Sequence, residues 1–175
     1  MELKILTEEE KAFYRDDIFD TLKENDKEFV PPLSTRNSTT QSNFNFTGSG
    51  NEAISSYANE MLSQVILGAF DENTLVGFVS FKENYISDVI SSDSMPNIYI
   101  STLLLKKEAR DRRLTSQMYD FLFNTLYSER NIFTRTWSTN LSHLKILDNF
   151  GFTLIKTIKN DRGNGIDTVY FALKR

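Results

Sequence analysis

The chain contains no cysteine. That absence excludes disulfides, a thiolate-held metal and a cysteine nucleophile together. A single histidine, His143, rules out a histidine-rich zinc site and argues against a Ser-His-Asp hydrolase. No apolar run approaches the ~18 residues of a membrane span. The opening MELKILTEEE lacks the apolar stretch of a secretory signal. A cytoplasmic protein that does not enter a membrane is therefore expected. Excess basic charge is missing too. A formal net charge of −4 argues against a general nucleic-acid binder. No Gly-Lys-Ser/Thr phosphate loop and no Gly-x-Gly-x-x-Gly turn follows a strand.

What remains is the composition of one ordinary domain. The 175 residues suffice for a real core, and 39% of them are hydrophobic. Fourteen Phe and seven Tyr favour sheets and aromatic-lined pockets. Leu3 to Leu6 reads as a short strand. Thr7 then caps a helix that opens with Glu8, Glu9 and Glu10 and runs to about Lys23. Pro31 and Pro32 end regular structure, and Ser34 to Gly50 reads as a polar loop with Phe44 and Phe46 as anchors. Glu52 to Leu62 is a second helix. Val65 to Phe70 and Leu75 to Phe81 form a hairpin. Tyr85 to Met95 has no clear period, and Asn97 to Leu105 is a strong strand. Residues 112–128 form an amphipathic helix. Asn131 to Ser138 is a strand, followed by a helix capped by Thr139 or Asn140 and ending near Asn149, with Gly151 at C′. Phe152 to Ile158 and Thr168 to Leu173 make a last hairpin. Hairpins mixed with strand–helix–strand units imply an α/β (α+β) fold, with a mixed, mostly antiparallel central sheet and helices on both faces.

Local charge departs from the acidic average at one place. Lys106, Lys107, Arg110, Arg112 and Arg113 lie between the strand ending at Leu105 and a helix whose first turn carries Thr115 and Ser116. The first N–H groups of a helix lack intrahelical partners and the macrodipole is positive there, so phosphate is the usual guest. The competing reading is a solvated basic face balanced by Glu108 and Asp111.

These residues resemble the GNAT acetyltransferase superfamily, and the resemblance covers about Val65 to the C-terminus. The family turn R/Q-x-x-G-x-G/A aligns with Arg110, Asp111, Arg112, Arg113, Leu114 and Thr115. Arg110 matches; Arg113 and Thr115 stand where small residues are usual. A second family motif aligns with Asn140, Leu147 and Gly151-Phe152, with Leu147 replacing the usual Tyr. The resemblance implies acetyl-CoA as acyl donor. Arg110, Arg112, Arg113, Leu114, Thr115 and Ser116 would hold its pyrophosphate. Backbone groups of Leu103, Leu104 and Leu105 would pair with the pantetheine arm, and Asn140 and His143 would lie beside it. Arg113 either crowds the phosphate or adds charge-assisted contacts. Asn140 is either a pantetheine partner or only an N-cap.

The implied activity is direct transfer of the acetyl group to an amine of a small molecule or peptide, without an acyl-enzyme. A mostly protonated amine needs a base, and Glu83, Asp88 and Tyr99 are candidates. Ser142, Tyr170 or water replaces the missing tyrosine as acid. Residues 1–62 would form the acceptor side and 63–175 the coenzyme-binding core of one domain. Acidic Glu24, Asp26 and Glu28 with Phe29 suggest a wall suited to a cationic amine. The alternative is a catalytically silent coenzyme-binding or interaction module. Monomer and homodimer both remain open, and no metal, nucleic acid or membrane is expected as partner.

Overall fold

The computed structural model describes residues 1–42, 44, 50–110 and 112–175. Seven strands form a single sheet in the order β1-β2-β3-β4-β5-β7-β6. They are β1 (Glu2–Ile5), β2 (Val65–Asp71), β3 (Thr74–Glu83), β4 (Asn97–Leu105), β5 (Asn131–Trp137), β6 (Thr153–Ile158) and β7 (Thr168–Leu173). Every neighbouring pair is antiparallel except β4 and β5, which run parallel. That one parallel pair needs a crossover, and a helix supplies it.

The helices are α1 (Glu8–Phe13), α2 (Arg15–Asn25), α3 (Gly50–Leu62), α4 (Leu114–Asp120) and α5 (Leu141–Asn149). The expected first helix is interrupted at Tyr14, whose φ −88 and ψ 11 separate α1 from α2. Its ring lies 5.2 Å from that of Phe70, so the break turns an aromatic onto the sheet. Thr7 caps α1 as a reciprocal box with Glu10. The helix expected over 112–128 starts later, at Leu114, because Arg113 is left-handed at φ 55. It continues as a π-helical stretch over Phe121–Leu126.

Two apolar layers sandwich the sheet. One holds Met118, Leu122, Phe123 and Leu147 against Val79, Phe81, Ile98, Ile100 and Ile132. The other holds Ile18, Leu22, Tyr57 and Met61 against Ile66, Phe78 and Leu104. A bulge in β4 reconciles these faces. Ser80 pairs with Thr102 and Phe81 with Ile100, leaving Ser101 as the extra residue. Ile98 and Ile100 therefore share a face with Leu103 and Leu105, not with Leu104. Phe46, expected as an anchor, lies outside the described residues; Phe44 is buried.

Candidate active site

The parallel ladder of β4 and β5 ends at Ile100 and Thr134, although β4 continues to Leu105 and β5 to Trp137. Each strand keeps its other neighbour: β4 pairs with β3 as far as Leu105 and Gly77, and β5 with β7 as far as Trp137 and Thr168. The two strands thus part, and one backbone edge of β4 from Ser101 onward loses its β5 partner. An unpaired strand edge offers N–H and C=O groups to an extended ligand. A cavity of about 560 Å³ fills the wedge, lined by residues 100–105 and 134–137. Its lining comes from residues on both faces of the sheet.

On one face the cavity meets the starts of α4 and α5. Arg113, Leu114, Thr115 and Ser116 line it from α4, and Asn140, Ser142 and His143 from α5. The cationic turn is divided by its partners. Lys106 pairs with Asp17 at 3.0 Å, Arg112 with Asp71 at 2.9 Å and Arg110 with Glu28 at 2.9 Å. Arg110 also donates to Asn25 Oδ1. It still lines the cavity, whereas Arg112 is directed to the β2–β3 turn and does not. Arg113 lines the cavity and has no ion-pair partner among the described residues. Its left-handed φ is the conformation that glycine takes without steric cost, which accounts for the family's glycine at this position. An arginine there carries strain of about 1–2 kcal/mol.

Asn140 does cap α5. Its Oδ1 accepts from His143 N at 3.4 Å and from Ser142 Oγ at 3.3 Å, and its Nδ2 donates to Thr136 Oγ1 at 3.0 Å. One turn on, His143 Nε2 lies 2.8 Å from the hydroxyl of Tyr119. Both line the cavity. Burial lowers the imidazole to about 4, so it is neutral at pH 7, and burial raises the Tyr119 phenol, so it keeps its proton. Leu147 is fully buried in the core and does not line the cavity.

The other candidate catalytic groups separate. Ser142 lines the cavity, but Glu83, Tyr99 and Asp88 do not. Glu83 pairs with Arg130 at 3.1 Å at the far end of β3. Tyr99 is buried before the bulge, stacked on Tyr85 at 4.7 Å, and burial raises its phenol. Leu103, Leu104 and Leu105 all line the cavity.

On the opposite face the lining is Phe29, Arg135 and Trp137. The ring of Phe29 lies 5.5 Å from Trp137. The expected acidic wall is engaged within the protein: Glu28 holds Arg110, and Asp26 accepts from Ser34 N at 2.6 Å and Ser34 Oγ at 3.0 Å. Tyr119, Arg135 and Trp137 escape a reading of motifs. A lone arginine in the apolar strand NIFTRTW is the one local signal among them.

Known structures share this architecture. An aminoglycoside 6'-acetyltransferase of type Ii superposes with a TM-score of 0.68 at 15% identity, over 99% of this chain and 97% of that one. An N-acetyltransferase from Staphylococcus aureus Mu50 gives 0.67 at 13% identity, over 99% of both. The yncA protein of Salmonella typhimurium, solved with its cofactor acetyl-CoA, gives 0.63 at 12% identity, over 99% of this chain and 93% of that one. No curated protein sequence matches the chain significantly. The family model of the acetyltransferase (GNAT) domain matches residues 49–167, more than half of the chain. With its splayed central strands and the two helix starts beside them, the chain belongs to the GNAT acetyltransferase family.

Proposed function

We propose that the protein binds acetyl-CoA in the wedge and transfers its acetyl group directly to an amine of a small molecule or peptide. The observation that carries this reading is the unpaired edge of β4 beyond Ile100, opening onto the first turn of α4. The pantetheine arm would take the place of the missing strand, using backbone groups of residues 103–105. The diphosphate would meet N–H groups around Leu114, Thr115 and Ser116, with Arg113 as a charge-assisted partner. Arg110 would steady this turn through Glu28 and Asn25. Residues 1–62 would supply much of the acceptor side, through Phe29 and the turns around it.

In the reaction, the amine nitrogen attacks the thioester carbonyl while a backbone N–H of β4 stabilises the oxyanion. A thiol pKa around 8.5 makes the thiolate a tolerable leaving group. Its proton comes from water, Ser142 or the Tyr119–His143 pair. The second reading, a coenzyme-binding module without turnover, is favoured by one fact. Among the described residues Glu28 is the one carboxylate lining the cavity, and it is tied to Arg110.

Calorimetric titration with acetyl-CoA tests binding, and thiol release with an amine panel tests transfer. Arg113→Gly is the informative variant, because it removes the charge and suits φ 55. Acetyl-CoA affinity should fall about tenfold, the scale of one charge-assisted hydrogen bond, with no loss of fold stability. Absence of acetyl-CoA binding to the unmodified protein defeats both readings. Binding without thiol release selects the silent module.

A further inference from the structure

Behind the acceptor face lies a group of buried cations. Arg36 follows the turn at Leu33–Thr35, Arg135 projects from β5, and Arg162 sits in the β6–β7 loop. Their guanidinium groups surround the ring of Phe44, at 5.3, 5.4 and 4.6 Å from its centroid. Arg36 is 6% exposed and Arg162 7%, with Arg135 half-buried. Like charges gathered in a poorly solvated volume call for a counter-charge.

None of the three is in an ion pair among the described residues. Arg36 donates to Pro31 O, Arg162 to Val30 O and Thr168 Oγ1, and Arg135 to Gln41 O, Thr39 O and Tyr170 Oη. The acidic groups that act on them do so from a distance. Asp26 is engaged by Ser34, and Asp161 accepts from the Thr168 hydroxyl. Burial raises the phenols of Tyr57 and Tyr99, so no phenolate supplies the charge. Burial brings Arg36 down to about 10, and burial with repulsion from Arg36 and Arg135 brings Arg162 to about 9. Both remain cationic at neutral pH. Arg135 is the member that lines the cavity, between Phe29, Trp137 and the splayed strands.

We propose that the acceptor amine carries a carboxylate, and that this carboxylate seats on Arg135 with Arg36 and Arg162 reinforcing the field behind it. The proposal rests on the acetyl-transfer reading and specifies its substrate class. With both Nη2 hydrogens of Arg135 given to Thr39 O and Gln41 O, a carboxylate would take a charge-assisted hydrogen bond from Nε or from the second Nη1 hydrogen, and Phe29 and Trp137 offer apolar walls for the carbon chain between the two ends. The same surface repels a polycation, so an acceptor like that in the name of the aminoglycoside 6'-acetyltransferase neighbours is disfavoured here. The field also bears on the missing base. A cationic environment lowers the pKa of an ammonium group, releasing its proton to water before attack. The nitrogen lone pair then forms the C–N bond, the C–S bond breaks, and the second nitrogen proton balances the departing thiolate. One ammonium and one thioester give one amide, one thiol and one free proton.

The experiment compares matched amines in thiol release with acetyl-CoA: β-alanine with propylamine, lysine with cadaverine, and phosphoethanolamine as a phosphate-bearing control. A preference in kcat/KM of about 10- to 100-fold for the carboxylate member of each pair is expected. A second readout does not need turnover. Trp137 is the sole tryptophan, so its fluorescence reports this wall. Glutarate should change it saturably, Arg135→Gln should weaken that response about tenfold, and spermidine should leave it unchanged. Equal rates within pairs together with no response to glutarate overturn the proposal. So does tighter binding of spermidine, a phosphate-only response, or a glutarate response indifferent to Arg135→Gln. Acetyl-CoA titration of the same sample keeps the failures apart, since its loss removes the transfer reading and leaves the glutarate result standing.

Discussion

His143 shows how one side chain links the site to stability. Its imidazole is lowered by burial from an ordinary value of 6.5 to about 4. An unfolded chain takes up that proton as pH falls through 6.5, whereas the folded chain resists until about pH 4. The stabilisation is therefore complete above pH 6.5 and is lost as acidity increases toward 4. The full shift corresponds to at most about 3 kcal/mol, less to the extent that the cavity admits water. Urea unfolding at pH 7 and pH 4.5 measures this. His143→Gln should flatten that part of the pH dependence, while an unchanged slope would place its cause in other groups. The interaction with Tyr119 could not be read along the chain, because the partners lie 24 residues apart on different helices. Arg113 was legible as a departure from a glycine position. Its left-handed backbone needed the structure.

At the scale of elements, β3 and β4 are held at close quarters by Gly77. A Cβ added there would meet Leu104 O at 2.9 Å and also collide with the Leu105 side chain. Gly77→Ala should cost about 1–3 kcal/mol, as overpacking does, and should weaken acetyl-CoA binding by shifting the end of β4. Denaturant melts with parallel titrations check both; a neutral substitution in each assay would show that β4 yields easily. The bounds of β4 were legible to the residue, since the apolar run IYISTLLL is bracketed by polar neighbours. Its bulge at Ser101 was not, because a register step is a property of two paired strands. The interruption at Tyr14 was hidden for a similar reason: the helical pattern continues through it, and only packing against Phe70 marks the turn. The arginine group was least legible. Positions 36, 135 and 162 share no local period and meet only through tertiary folding.

For the whole molecule, the two helical layers are joined by a sheet with a gap in its middle. A ligand lying along both splayed strands would tie the halves together. At a hundred times its dissociation constant, acetyl-CoA should add about 2.7 kcal/mol of stability, seen as a rise in Tm that grows with its concentration. A concentration-independent Tm would show that acetyl-CoA does not bind the folded chain. The architecture of the sheet was readable from the alternation of hairpins and crossovers, while the gap follows from where a parallel ladder stops. Because that gap is lined from both surfaces, the proposed reading would let donor and acceptor approach by separate doors. Neither would then block the other's arrival or exit, and the spent thiol and the finished amide would depart in opposite directions.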